Sequence, residues 1–265
     1  NGVLGQLNMV SSGNDTGKIY TADFAPTATD MLCTVNIPAD IFIDVPGNKN
    51  TVVQQFSWTY DVTAPSMVIS ATEIVSGDGT VISNDPIINL TFTSSETIVG
   101  FVWEDIVVTN GVLGSLIYVS TGGTTGNVYT STFTPNVLYG LCTINVGAER
   151  FSDVPGNLNT GADEFSWTYD VTPPTMAISS TKIVSGDGSL YSNESIVDLI
   201  FTTNKVNTNF VKQDIIVTNG VIYSMSLVST GPDIGKVYSA IFIPDTTDTL
   251  CTINVPAGAF ADVPG

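Results

Sequence analysis

Apolar and polar residues alternate in short runs along this chain, and nowhere do apolar positions recur at helical spacing. In Phe165-Ser-Trp-Thr-Tyr-Asp170 three aromatics alternate with small polar residues, so an extended backbone puts Phe165, Trp167 and Tyr169 on one face. The run ends in Val171-Thr-Pro-Pro174. Proline cannot donate to a ladder and keeps the residue before it extended, so the strand stops in a stiff joint. A near copy stands at Phe56–Asp61, followed by Val62-Thr-Ala-Pro65. Between the two, the pattern predicts strands near Met67–Ile69, through Ile88, Leu90 and Phe92, over Val99–Thr109, over Leu116–Val119, through Tyr129, Ser131 and Phe133, and through Cys142, Ile144 and Val146. Ser76-Gly-Asp-Gly79 and Asp153-Val-Pro-Gly-Asn157 predict turns, and Asn110-Gly111 predicts a type I′ hairpin. About seven short strands with turn signals every 8–12 residues make an all-β sandwich.

The pattern repeats. Shifted by 109 positions, the chain aligns with itself without a gap. Asn1-Gly2 meets Asn110-Gly111 and Asn219-Gly220, while Asp44-Val-Pro-Gly47 meets Asp153-Val-Pro-Gly156 and Asp262-Val-Pro-Gly265. Cutting at the Asp-Val-Thr-x-Pro joints gives three pieces: residues 1–61, the back half of a unit; 62–170, one whole unit; and 171–265, a unit without its last strand. The expectation is a window on a longer tandem array.

Composition narrows the chemistry. Twenty-five acids against seven Lys plus Arg give a formal net charge of −18, which argues against nucleic acid, whose phosphates need clustered bases. The balance suits a self-repelling surface or one that takes up hard cations. No run of about 20 apolar residues is present, so no membrane insertion is expected. There is no histidine, which removes the usual general base and His-ligated zinc. Cys33, Cys142 and Cys251 fall once per unit, which is not a disulfide framework; each reads as a small buried hydrophobe in a strand, with inter-chain pairing as the alternative.

The stretches Asp105-Ile-Val-Val-Thr-Asn-Gly111, the Tyr129 strand ending at Pro135, Phe151-Ser-Asp-Val-Pro-Gly-Asn157 and Tyr169-Asp-Val-Thr-Pro-Pro174 resemble the bacterial immunoglobulin-like repeats strung in tandem in large surface adhesins and extracellular fibres. The resemblance covers the chain and implies tandem Ig-like β-sandwiches of 109 residues each. It also implies Ca²⁺ between domains, held by carboxylates near the joints. The acids that fit are Asp61, Asp78, Asp153, Asp170 and Asp262, with Asp170 and Asp262 expected to approach Asp78 of the preceding unit. Ca²⁺ takes six to eight oxygens. The same acids before Gly or Pro-Gly also serve as plain turn formers.

Other features are less pointed. Asn14, Asn89 and Asn193 open N-glycosylation sequons, at positions that are not equivalent between units. Trp103 has Lys212 at its equivalent position, so the fold does not require it, and it is a candidate contact for glycan or protein. The acids are scattered over turns, which disfavours a paired-carboxylate enzyme. The reading is a non-catalytic stalk or filament outside a microbial cell, whose partners are adjacent repeats or copies of itself. An adhesin module, and a fibre subunit joined head-to-tail by strand complementation, stand as alternatives.

Overall fold

The computed structural model describes residues 1–52, 55–74, 78–120, 127–187, 189–207, 209–231 and 234–262. In the middle unit two antiparallel-rich sheets face each other. One runs Gly111–Leu113, Val128–Pro135, Ile88–Ser94, Met67–Ala71, with Ile117–Ser120 also on Val128–Pro135. The other runs Ile106–Thr109, Tyr139–Val146, Phe165–Asp170, Asp78–Ser83. The fold is an Ig-like β-sandwich.

Alternation explains the core. Ile88, Leu90, Phe92 and Phe133 point inward from the first sheet and Cys142, Ile144, Val146 and Trp167 from the second, all essentially inaccessible to solvent. The Phe133 and Trp167 rings meet edge to face with centroids 5.0 Å apart, which joins the two sheets at the centre. Each such side chain contributes on the order of 1.5–3 kcal/mol on burial.

Three sequence expectations change. Asn110-Gly111 is not a hairpin turn. Ile106–Thr109 belongs to one sheet and Gly111–Leu113 to the other, so the dipeptide carries the chain between sheets. Only Asn110 takes a positive φ, 58°, and its Nδ2 donates to the Leu141 carbonyl at 2.9 Å. The expected strand over Val99–Thr109 is broken: Ile98–Val99 pairs with Ser152–Asp153, and a 3₁₀ turn at Trp103–Asp105 precedes Ile106. An unforeseen strand, Asp78–Ser83, runs parallel to Phe165–Asp170. The expected turn at 76–79 lies largely outside the described residues.

The flanking pieces repeat this wiring. Gly2↔Pro26, Gly111↔Pro135 and Gly220↔Pro244 are equivalent pairs 109 residues apart, as are Cys33↔Trp58 and Cys142↔Trp167. Phe165 is 8% exposed and belongs to the core of the middle unit. In residues 171–265 the strands Met176–Ser179, Val197–Thr203, Val237–Pro244 and Gly220–Leu227 form one sheet. Thr252–Asn254 pairs with Ile216–Thr218 alone among the described strands.

Candidate functional site

The acids converge at the joints, on residues that the strand ends deliver. At the first joint Asp61 follows the strand Phe56–Tyr60. Asp153 sits in the short pair with Ile98–Val99, opposite Ile98. That pair draws the turn carrying Glu96 against it, and the Ser94 hydroxyl pins the turn by donating to the Glu96 carbonyl at 2.6 Å. One carboxylate oxygen from each of Asp61, Glu96 and Asp153 therefore lies within 4.8 Å of the other two. Asp30, which has a φ of 54°, adds a fourth acid by accepting from the Val62 N–H at 3.1 Å.

Asp153 is only 1% exposed. Its Oδ1 accepts from the Gly156 and Asn157 N–H groups, each at 2.7 Å, and its Oδ2 from Asn157 Nδ2 at 2.7 Å. The same Nδ2 donates to the Asp61 carbonyl at 3.2 Å, so the Asp-Val-Pro-Gly-Asn turn ties the joint to the unit that follows it. Asp44, the equivalent acid, keeps the turn bonds to Asn48 but is exposed. Burial, and then the negative charges of Asp61, Asp153 and Asp30, push the Glu96 carboxyl above its ordinary range. These charges are all of one sign, and a hard cation would neutralise them.

The second joint has the same frame and a different charge. Its positions equivalent to 30, 61, 96 and 153 are Tyr139, Asp170, Lys205 and Asp262. The Thr203 hydroxyl pins the turn through the Lys205 carbonyl at 2.5 Å, and a bridge between Asn207 and Asp262 stands where Ile98 meets Asp153. Lys205 Nζ donates to Asp170 Oδ1 and Oδ2 at 2.9 and 2.8 Å, to Asp262 Oδ2 at 2.7 Å, to Thr172 Oγ1 at 2.7 Å and to the Thr172 carbonyl. Burial opposes the charge of both Lys205 and Asp170. The bonds between them outweigh it, holding the Asp170 carboxyl below its usual range and the Lys205 ammonium above its own.

The structure thus brings together Asp61 with Asp153, and Asp170 with Asp262. The backbone of Asp78 lies beside Ser166, four residues before Asp170, or about 13 Å of extended chain, and its side chain lies outside the described residues. Between Asp170 and Asp262, where a metal was expected, the Lys205 ammonium bonds to both carboxylates. Glu96, Lys205 and Asp30 escaped the sequence reading. A change of charge between equivalent positions, from Glu96 to Lys205 and from Asp30 to Tyr139, was the signal that could have found them.

Two further acids at equivalent positions, Asp105 and Asp214, cap their 3₁₀ turns, accepting from the Val102 and Val211 N–H groups at 2.9 and 2.8 Å. Trp103 is 60% exposed on such a turn. Asn14 and Asn193 are exposed, and Asn89 Nδ2 donates to Glu73 Oε1 at 2.6 Å.

A family model described as a bacterial Ig-like domain matches residues 61–169, a span that opens on the first joint's own aspartate. No curated protein matches the chain. No helix among the described residues is long and apolar enough to cross a membrane.

Proposed function

We propose that this chain, whose residues 61–169 are a bacterial Ig-like domain, is a non-catalytic structural protein in which Ig-like units form a stalk or filament on a microbial surface. The observation that supports this reading most is the joint. The Asp that ends one unit's aromatic strand is bonded to the turn of the next unit, through Asn157 at Asp61 and through Lys205 at Asp170. Such bonds limit bending, so tension or span passes from unit to unit, and stability is nearly a sum of unit cores and neighbour interfaces. The strong negative charge keeps such strings apart.

At the first joint the function uses a divalent cation. Asp61, Glu96 and Asp153 present carboxylate oxygens close enough to share one ion, and the oxygen-only donor set suits Ca²⁺. When bound, Ca²⁺ neutralises the crowded acids. The chain's own part is to hold Asp153 by three hydrogen bonds and to set Glu96 by its pinned turn.

Small-angle scattering of the whole chain in saturating calcium tests the structural role. An elongated, narrow distribution of dimensions is expected. A distribution as broad as that of freely jointed units overturns the reading. Surface labelling of intact cells with an antibody to residues 62–170 tests location, and signal only after lysis counts against it.

A further inference from the structure

The two joints are built on one frame and differ in who supplies the positive charge. Position by position, Asp61 corresponds to Asp170, Asp153 to Asp262 and Thr63 to Thr172. In both frames the joint Asp accepts from the N–H of that Thr, at 3.1 Å in Thr63 and 2.9 Å in Thr172. The two positions that change do so together. Asp30 becomes Tyr139, and Glu96 becomes Lys205. The acids at the four positions fall from four to two and one base enters.

We infer that Lys205 is a resident cation that does at the second joint what a bound divalent ion does at the first, so that one joint is set by ion concentration and the other is locked permanently. This inference rests on the metal reading of Asp61, Glu96 and Asp153.

The geometry carries it. An ammonium is a compact point charge with three donors and no acceptor. Lys205 Nζ collects four side-chain oxygen contacts, from both carboxylates and the Thr172 hydroxyl, and a backbone carbonyl besides. An oxygen cage around one positive centre is also what a hard cation demands. The equivalent acids at the first joint are gathered by the same strand pair and the same pinned turn, with Glu96 in the place from which Lys205 reaches in. A third carboxylate in that place does not hold the other two together by itself; it raises the demand for a cation from solution. The same frame ligating a cation in its second copy therefore points to a cation in the first. The consequence is a chain with mixed joints, in which calcium stiffens 1–61 against 62–170 while 62–170 against 171–265 stays fixed.

Reciprocal substitution in the full chain tests this, with calcium binding read by titration calorimetry and unfolding followed in calcium or in chelator. The unmodified chain is expected to bind one ion at the joints, Lys205→Glu two, and Glu96→Lys none. Glu96→Lys is also expected to melt at the same temperature with and without calcium, and above the unmodified chain in chelator. If Lys205→Glu unfolds in chelator and is recovered by calcium, that too supports the inference. If Lys205→Glu gains no ion and is not recovered, or if Glu96→Lys melts no higher in chelator than the unmodified chain, the inference is overturned. An unmodified chain that binds no calcium, beside a Lys205→Glu chain that binds one, ends the metal reading of the first joint and leaves the role of Lys205 standing.

Discussion

Gly111 lies directly against the ring of Phe133. A Cβ placed on Gly111 would sit 2.0 Å from the Phe133 Cζ. The same relationship recurs between Gly2 and Phe24, at 2.1 Å, and between Gly220 and Phe242, at 2.2 Å. The glycine of Asn-Gly is therefore kept for close approach. Its φ is not positive, and the left-handed residue is the Asn before it. Phe133 in turn carries the edge-to-face contact with Trp167, so the crossover between sheets is fitted to the centre of the core.

Gly111→Ala should accordingly act as overpacking at a buried aromatic. A cost of about 1–3 kcal/mol is expected, measured as a lowered denaturant midpoint. Gly114→Ala is a poorer control, since its Cβ would meet Thr132 Oγ1 at 2.4 Å, whereas Gly156, with a φ of 105° and open space around it, separates backbone strain from crowding. If Gly111→Ala leaves the midpoint unchanged, the ring is free to move aside and the account of this glycine fails.

Removing the ammonium of Lys205 leaves Asp170, only 6% exposed, facing Asp262. Lys205→Met should cost roughly 3–5 kcal/mol, toward the lower end because Lys205 is itself partly solvated. The pH dependence has two edges. The Asp170 carboxyl is depressed, so its stabilisation is present above the ordinary aspartate value of about 3.9 and is lost as pH falls through the lower folded value. The Lys205 ammonium is raised, so its contribution is present below the ordinary lysine value of about 10.4 and is lost as pH rises through the higher folded value. The stability difference between the unmodified and Lys205→Met chains should be flat between those edges and shrink beyond each. A difference that shrinks near neutrality contradicts the pairing.

Glu96 should titrate with the opposite sense to Asp170. Its folded carboxyl is raised by burial and by Asp61, Asp153 and Asp30. In chelator, its contribution to stability is therefore present below the ordinary glutamate value of about 4.3 and is lost as pH rises through the raised value. Glu96→Gln should remove that loss, so the variant is the more stable chain at neutral pH without calcium and the weaker calcium binder with it. Denaturant titrations at several pH values in chelator decide this, and identical pH profiles for the two chains would count against the crowded-acid account.

How much of this the sequence displayed depends on whether the determinant is local. The alternation in Phe165–Asp170 and Ile88–Phe92 is set by side-chain direction in one strand, and the buried set follows it. The 109-residue period is likewise explicit, and the pairs Gly2↔Pro26, Gly111↔Pro135 and Gly220↔Pro244 stand at that spacing. The strand Asp78–Ser83 was hidden because its partner, Phe165–Asp170, lies far along the chain and pairs in parallel, while its flanking glycines look like a turn. Asn110-Gly111 carried the right residues for a hairpin and a different reason for them. At the joints, recurrence led to Asp61, Asp153, Asp170 and Asp262, but a ranking by recurrence necessarily passes over Glu96 and Lys205, which matter because they differ.

The cysteines offer a final check on which cores are covered. Cys33 and Cys142 are buried, and Cys251 is partly exposed. All three are wired alike, donating to the carbonyls of Asn1, Asn110 and Asn219, so a difference in reactivity reports cover rather than local bonding. Burial pushes the Cys142 thiol up to about 11, which leaves only about one thiol in a thousand ionised at pH 8, and the thiolate is the nucleophile. Trp167 pairs with Cys142, and both are inaccessible to solvent. Iodoacetamide at pH 8 should therefore modify Cys142 far more slowly in the folded chain than in denaturant, with mass spectrometry following the site. Trp167→Ala, expected to cost about 3–5 kcal/mol, should bring the folded-state rate at Cys142 toward the denatured one. If Cys142 stays protected when Trp167 is removed, the aromatic strand is not what shields that core.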